Sequence, residues 1–164
     1  MQSFDEEKQR ALDRAFRSLA ARAHTEKEIA DKLSRAGYSE RAVAYVMETL
    51  SKYRLIDDAS YAESWVLTRA KRGVGPYRLR QELRRKGVSS EDAQAALDTL
   101  DEDDSLDAAV SFAAKRLKND SPEEKRRVLQ ALVRRGYSYD TARGAGARRR
   151  RFIRRLNVFF HAIR

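Results

Sequence analysis

The sequence predicts an all-α protein made of three tandem three-helix repeats, an elongated and curved helical array ending in a basic tail. Three observations carry that reading. Seven glycines and two prolines punctuate 164 residues that are otherwise rich in Ala, Leu, Arg and Glu, a composition that favours helix. One short pattern occurs three times: LSRAGYSERA from Leu33 to Ala42, LRRKGVSSEDA from Leu83 to Ala93, and LVRRGYSYDTA from Leu132 to Ala142. Its glycines, Gly37, Gly87 and Gly136, recur at intervals of 50 and 49 residues, and self-similarity at a fixed period marks a repeat architecture. Finally, the mean hydropathy of −0.75 leaves too little apolar surface for one large core, and suits several small units in a row.

Each repeat opens on a helix, expected at about 6–22, 58–72 and 104–118. These begin on acids (Asp5, Glu6 and Glu7; Asp57 and Asp58; Asp101 to Asp104), and the second and third close on bases (Lys71 and Arg72; Lys115, Arg116 and Lys118), as the helix dipole favours. Their apolar faces read Leu12, Ala15, Phe16, Leu19; Tyr61, Trp65, Val66; and Leu106, Ala109, Val110, Ala113, Leu117. The middle helices start at Thr25 with Glu28, at Gly75-Pro76, and at Ser121-Pro122 with Glu124. The first and third of these are capping boxes. Ile29 and Leu33, Leu79 and Leu83, and Val128, Leu129 and Leu132 form their inner faces.

The recurrent glycine closes each middle helix from the left-handed C′ position. Tyr38, Val88 or Tyr137 follows as the apolar contact of that closure, and Ser39, Ser89 or Ser138 then caps the third helix. Third helices are expected at about 40–53, 90–100 and from 139 onward, with Val43, Val46, Met47 and Leu50, and Ala93, Ala96, Leu97 and Leu100, facing inward. The repeats are expected to span 1–54, 55–100 and 101–146, with a basic aromatic tail at 147–164. Gly144 and Gly146 bring the ninth helix into question beyond Arg143.

The totals exclude several classes. Without cysteine there are no disulfides or thiolate metal sites. The start, MQSFDEEKQR, has no signal-peptide core, and no apolar run approaches the ~20 residues of a membrane span. A cytoplasmic monomer is expected, needing no cofactor. The net charge of +10 is concentrated: residues 143–164 hold eight arginines and no acid, so 27 of the 35 basic residues remain to face 25 acids.

Residues 55–88, LIDDASYAESWVLTRAKRGVGPYRLRQELRRKGV, resemble the signature region of the RecX regulatory family. The carriers are Ile56-Asp57-Asp58, Tyr61-Ala62, Arg69, Gly73, the Leu79/Leu83 pair and Lys86-Gly87-Val88. The flanking TEKEIADKLSRAGYSERAVAYVMETL and SPEEKRRVLQALVRRGYS are similar to the family's outer repeats, so the likeness covers about 10–142. It implies three three-helix repeats and a non-enzymatic modulator of RecA. Such a protein would lie in the groove of the RecA filament on single-stranded DNA. There it would inhibit filament growth, ATP hydrolysis, strand exchange and the co-protease activity of the SOS response.

Lys71, Arg72, Arg78, Arg80, Arg84, Arg85 and Lys86 crowd sixteen residues in which Glu82 is the sole acid. That density makes them the candidate strip for RecA or DNA phosphate. Arg134, Arg135 and the run Arg148, Arg149, Arg150 and Arg151 are secondary candidates. For Arg84, Arg85, Lys86, Arg134 and Arg135, at helix C-termini, a solvated helix end favoured by the dipole is the plainer reading. Tyr61, Trp65 and Tyr77 are candidates for base stacking, although aromatics at helical spacing usually face a core. The tail reads as a phosphate-binding arm, an amphipathic surface helix or an extension without a role. Asp57 and Asp58 read as cap and dipole partners rather than a metal pair, Gly73-Val74-Gly75 as an inter-helix loop rather than a nucleotide cradle, and His24 and His161 as surface residues. No catalytic or metal-binding pattern is present. The alternative function is a helix-turn-helix transcription regulator using TEKEIADKLSRAGYSERAVAYVMETLSKYRLI. Its would-be recognition helix, however, offers Glu40, Arg41, Glu48 and alanines in place of the usual base-reading side chains.

Overall fold

A computed structural model describes residues 3–119 and 121–145. Those residues form nine helices and no strand. The first repeat holds α1 (Phe4–Ala21), α2 (Glu26–Arg35) and α3 (Glu40–Lys52), and the second α4 (Asp58–Ala70), α5 (Pro76–Arg85) and α6 (Ser90–Asp98). The third holds α7 (Glu102–Arg116), α8 (Pro122–Arg134) and α9 (139–145). The tail with Arg148, Arg149, Arg150, Arg151 and His161 lies outside the described residues.

The three glycine hinges share one construction. Gly37, Gly87 and Gly136 take φ of 84, 86 and 92°. Each donates to the carbonyl three residues back, and the next residue donates to that of Leu33, Leu83 or Leu132, the bond pair of a Schellman closure. Ser39, Ser89 and Ser138 accept the N–H of Ala42, Asp92 and Thr141 at 3.3, 3.0 and 3.0 Å, capping the third helices as the sequence predicts.

Contacts gather the described residues into two compact units that do not follow the repeats: 3–64 with 82–96, and 65–81 with 97–119 and 121–145. The first unit packs Ala11, Ala15, Ile29, Leu33, Val46 and Leu50 into a core. Here the α1 face differs from the sequence reading. Ala11, Ala15 and Ser18 are buried, whereas Phe16 is 42% exposed. Small side chains let the backbone of α1 approach its neighbours, and the large Phe16 is displaced from the seam. His24 also corrects the reading as a surface residue, being only 7% exposed. The second unit's core comprises Ala109, Ala113, Val128, Leu132, Tyr137, Ala142 and Ala145.

Within each unit, the start of one middle helix docks on the glycine hinge of the next repeat. In the first unit Thr25, fully buried, donates from Oγ1 to the Lys86 carbonyl at 2.6 Å and accepts the Glu28 N–H at 3.2 Å. Asp58 accepts the Glu26 N–H at 2.9 Å, and Lys27 lies against Gly87. Lys86 Nζ reaches Glu28 at 2.6 Å and stands 5.3 Å from the Tyr61 ring centre. The second unit uses backbone instead. Gly75 and Tyr77 donate to the carbonyls of Arg135 and Gly136 at 2.8 and 3.0 Å, and Arg135 donates from Nη1 to the carbonyls of Arg72 and Gly73, both at 3.0 Å. Both joints solve one problem: the first N–H groups of a helix lack intrahelical partners, and the carbonyl end of another helix carries the complementary partial charge. The Glu28 carboxylate is therefore directed to Lys86 and Arg22 rather than back to its own cap.

The Glu28–Lys86 pair predicts an acid response. Burial pushes the Glu28 carboxyl upward, but hydrogen bonds from Lys86 and Arg22 and their charges outweigh it, and the group lies below its ordinary value of 4.5. A depressed carboxylate stabilises the folded state above that ordinary value, and the contribution is lost as pH falls through the folded one. Urea midpoints of wild type and Glu28→Gln should differ at pH 7 and converge as the pH is lowered below 4.5. A constant difference would place the stabilisation elsewhere.

Candidate partner-binding surface

The predicted basic strip separates into two kinds of residue. On α5, Leu79 and Leu83 are fully buried. With 100° per residue, Arg80 and Arg84 lie on one flank of that apolar face and Arg78 and Arg85 on the other, with Gln81 between them at the outermost position. All five are exposed, so the solvent arc of the helix is a double row of guanidinium groups. Lys71 and Arg72 are also exposed, in the turn after α4. Lys86 differs. It is half-buried and clasped by Glu28 and Tyr61. Burial alone would lower its affinity for a proton, yet bonds to Glu28 and Tyr61 hold it above the ordinary lysine value.

The secondary candidates divide in the same way. Arg134 is exposed at the end of α8. Arg135 packs its guanidinium 4.3 Å from the Phe112 ring centre while binding the Arg72 and Gly73 carbonyls, a joint rather than a free cation. Of the aromatics, Tyr61 is buried, Trp65 is half-buried with the Arg69 guanidinium 5.5 Å from its ring, and Tyr77 is 59% exposed.

The acidic pair also separates. Asp57 accepts both the backbone N–H and the hydroxyl of Ser60 at 2.9 Å, which holds its carboxyl below the usual range. That is the N-cap of α4. Asp58 instead caps α2 across the joint, and burial raises its carboxyl above the ordinary value. Sequence reasoning missed this role, because its partner Glu26 lies 32 residues away. Among the described residues no three His, Cys, Asp or Glu side chains could hold a metal ion, and no helix is long and apolar enough to cross a membrane.

Three three-helix repeats joined through their glycine hinges, with a double row of exposed arginines on α5, define an all-α helical-repeat protein. The chain matches the RecX first three-helix domain over residues 11–50, the second over 57–97 and the third over 102–145. It belongs to the RecX family. It is 38% identical over 141 residues to Regulatory protein RecX of Halorhodospira halophila, covering 82% of this chain and 85% of that one. It is 36% identical over 143 residues to Regulatory protein RecX of Prosthecochloris aestuarii, covering 85% and 93%. The fold is similar to the crystal structure of RecX from Lactobacillus salivarius, with a TM-score of 0.81 at 24% identity over 89% of this chain and 98% of that one. These relationships assign the chain a regulatory role.

Proposed function

We propose that the chain binds the RecA filament on single-stranded DNA and inhibits its growth, and with it ATP hydrolysis, strand exchange and SOS co-protease activity. It acts in the cytoplasm as a monomer and without catalysis. The observation that carries this reading is the match to all three RecX domains in order, together with relatives similar along more than four-fifths of the chain. The solvent arc of α5 supports a site for it. Arg78, Arg80, Arg84 and Arg85, with Lys71 and Arg72 beside them in sequence, offer forked donors to carboxylates of a protein groove or to DNA phosphate. Lys86 and Arg135 serve the joints, and Arg134 and the run Arg148 to Arg151 are secondary contacts. Several weak contacts along one chain gain from high effective concentration once the first has formed.

The test is RecA ATPase on single-stranded DNA, titrated with wild type and with Arg80→Glu/Arg84→Glu/Arg85→Glu. Wild type should inhibit at sub-stoichiometric ratios, and the triple variant should require about a hundredfold more protein for the same effect. Full inhibition by a folded triple variant rules out the α5 surface. No inhibition by wild type rules out the RecA reading itself.

A further inference from the structure

We propose that a cleft on the first repeat binds a compact phosphate anion of the pyrophosphate or triphosphate class. The cleft has a volume of about 430 Å³ and is lined by Arg14, Arg22, His24, Glu28, Lys32 and Arg35. Arg14 comes from α1, Arg22 and His24 from the connection after it, and the other three from α2. Four permanent cations therefore face one carboxylate, and Glu28 is already paired with Lys86 at 2.6 Å and Arg22 at 3.0 Å. The local excess of positive charge matches an anion carrying several negative charges in a small volume.

His24 is the second observation. It is 7% exposed, and its Nδ1 bonds the Arg22 carbonyl at 2.9 Å. A carbonyl only accepts, so Nδ1 carries the hydrogen, and Nε2 has no partner among the described residues. The ring is largely buried, so a polar group in the cleft that bonds its second nitrogen is favoured. His24 is among the residues lining the cationic cleft, where its second ring nitrogen can accept a hydrogen bond from a phosphate hydroxyl. The cations come from two helices and their connection and converge on one concavity. That suits a compact oligophosphate better than a strand backbone, which needs its cations along a track. Arginine forks add the paired donors that phosphoryl oxygens accept.

Occupancy is linked to the repeat joint, because Arg22 and Glu28 belong to both. An anion that engages Arg22 leaves Glu28 to Lys86, so binding should stabilise the first unit by mass action. The experiment is calorimetric titration of the full chain with sodium pyrophosphate in chloride buffer, beside thermal melts with and without the ligand. The comparison proteins are Arg14→Glu/Lys32→Glu and the milder Arg14→Gln/Lys32→Gln, which leave the joint residues in place; circular dichroism checks that each is folded. A single-stranded oligothymidylate forms the second arm. Expected are saturable binding and a raised melting temperature for wild type, with affinity falling at least about tenfold in a folded double variant. No saturable pyrophosphate binding overturns the proposal, and so does equal affinity in the variants, which would place the anion elsewhere, on the tail for example. Oligonucleotide binding that depends on Arg14 and Lys32, without pyrophosphate binding, also overturns the compact-anion assignment.

Discussion

Gly136→Ala should destabilise the second unit by about 2–5 kcal/mol, while Gly37→Ala in the first should cost only about 1–2 kcal/mol. The two glycines have nearly the same backbone, with φ of 92 and 84°, and terminate equivalent helices. An alanine at either pays the left-handed penalty of an L-residue. Their surroundings differ. A Cβ on Gly37 meets nothing within 4 Å, whereas one on Gly136 overlaps the backbone nitrogen and Cβ of Arg78. Arg78 cannot yield without moving the first turn of α5, where the Tyr77 N–H is bonded to the Gly136 carbonyl. The second penalty is therefore overpacking against backbone. Urea midpoints, with hydrogen exchange at the Tyr77 amide as a local probe, measure both. Equal losses at the two positions would mean that the joint carries no steric constraint. Gly75→Ala should behave like Gly136→Ala without the φ penalty, since its Cβ would overlap Gly136 and Tyr137 backbone.

Thr25→Val should destabilise the first unit by about 2–4 kcal/mol, and Thr25→Ser by only about 1 kcal/mol. Valine matches threonine in shape, so little packing changes. What is lost is a hydroxyl that donates to Lys86 across the joint and accepts from Glu28 within its own helix. The Lys86 carbonyl and the Glu28 N–H would both be left without that partner in a position where Thr25 is fully buried, and each unmet polar group costs about 1–3 kcal/mol. Serine keeps both bonds and loses one methyl group. If Val and Ser were equally destabilising, packing rather than hydrogen bonding would hold the joint. Proteolysis at the hinge around Lys86 and Gly87 gives an independent readout, because an opened joint exposes that backbone.

The repeat body was legible because its signals are local. A glycine, an apolar residue and a serine within three positions specify helix stop, hydrophobic contact and helix start, and the chemistry of each acts within a few residues. Apolar periodicity likewise placed Ile29, Leu33, Leu79, Leu83 and Leu132 inside. Periodicity failed at Phe16, because the size of a side chain does not reveal which neighbour presses on that face. The cleft on the first repeat was hidden for another reason. Arg14, Arg22, Lys32 and Arg35 are spread over 22 residues among acids such as Asp31, so no charge run marks them, and only the packing of α1 beside α2 gathers them.

Charge density exposed the basic stretch but could not sort it. Arg84, Arg85 and Lys86 are adjacent, yet the first two face solvent and the third is clasped by Glu28, 58 residues earlier. Arg134 and Arg135 part in the same way, the second reaching carbonyls 62 and 63 residues before it. The sequence by itself determined the helices, their stops and caps, and the threefold repetition, because hydrogen bonds and side-chain contacts within a turn or two fix them. Only the tertiary structure decided which cations remain on the surface. That choice depends on where the open N–H groups of one helix meet the open carbonyls of another, and residues far apart in the chain supply the two sides.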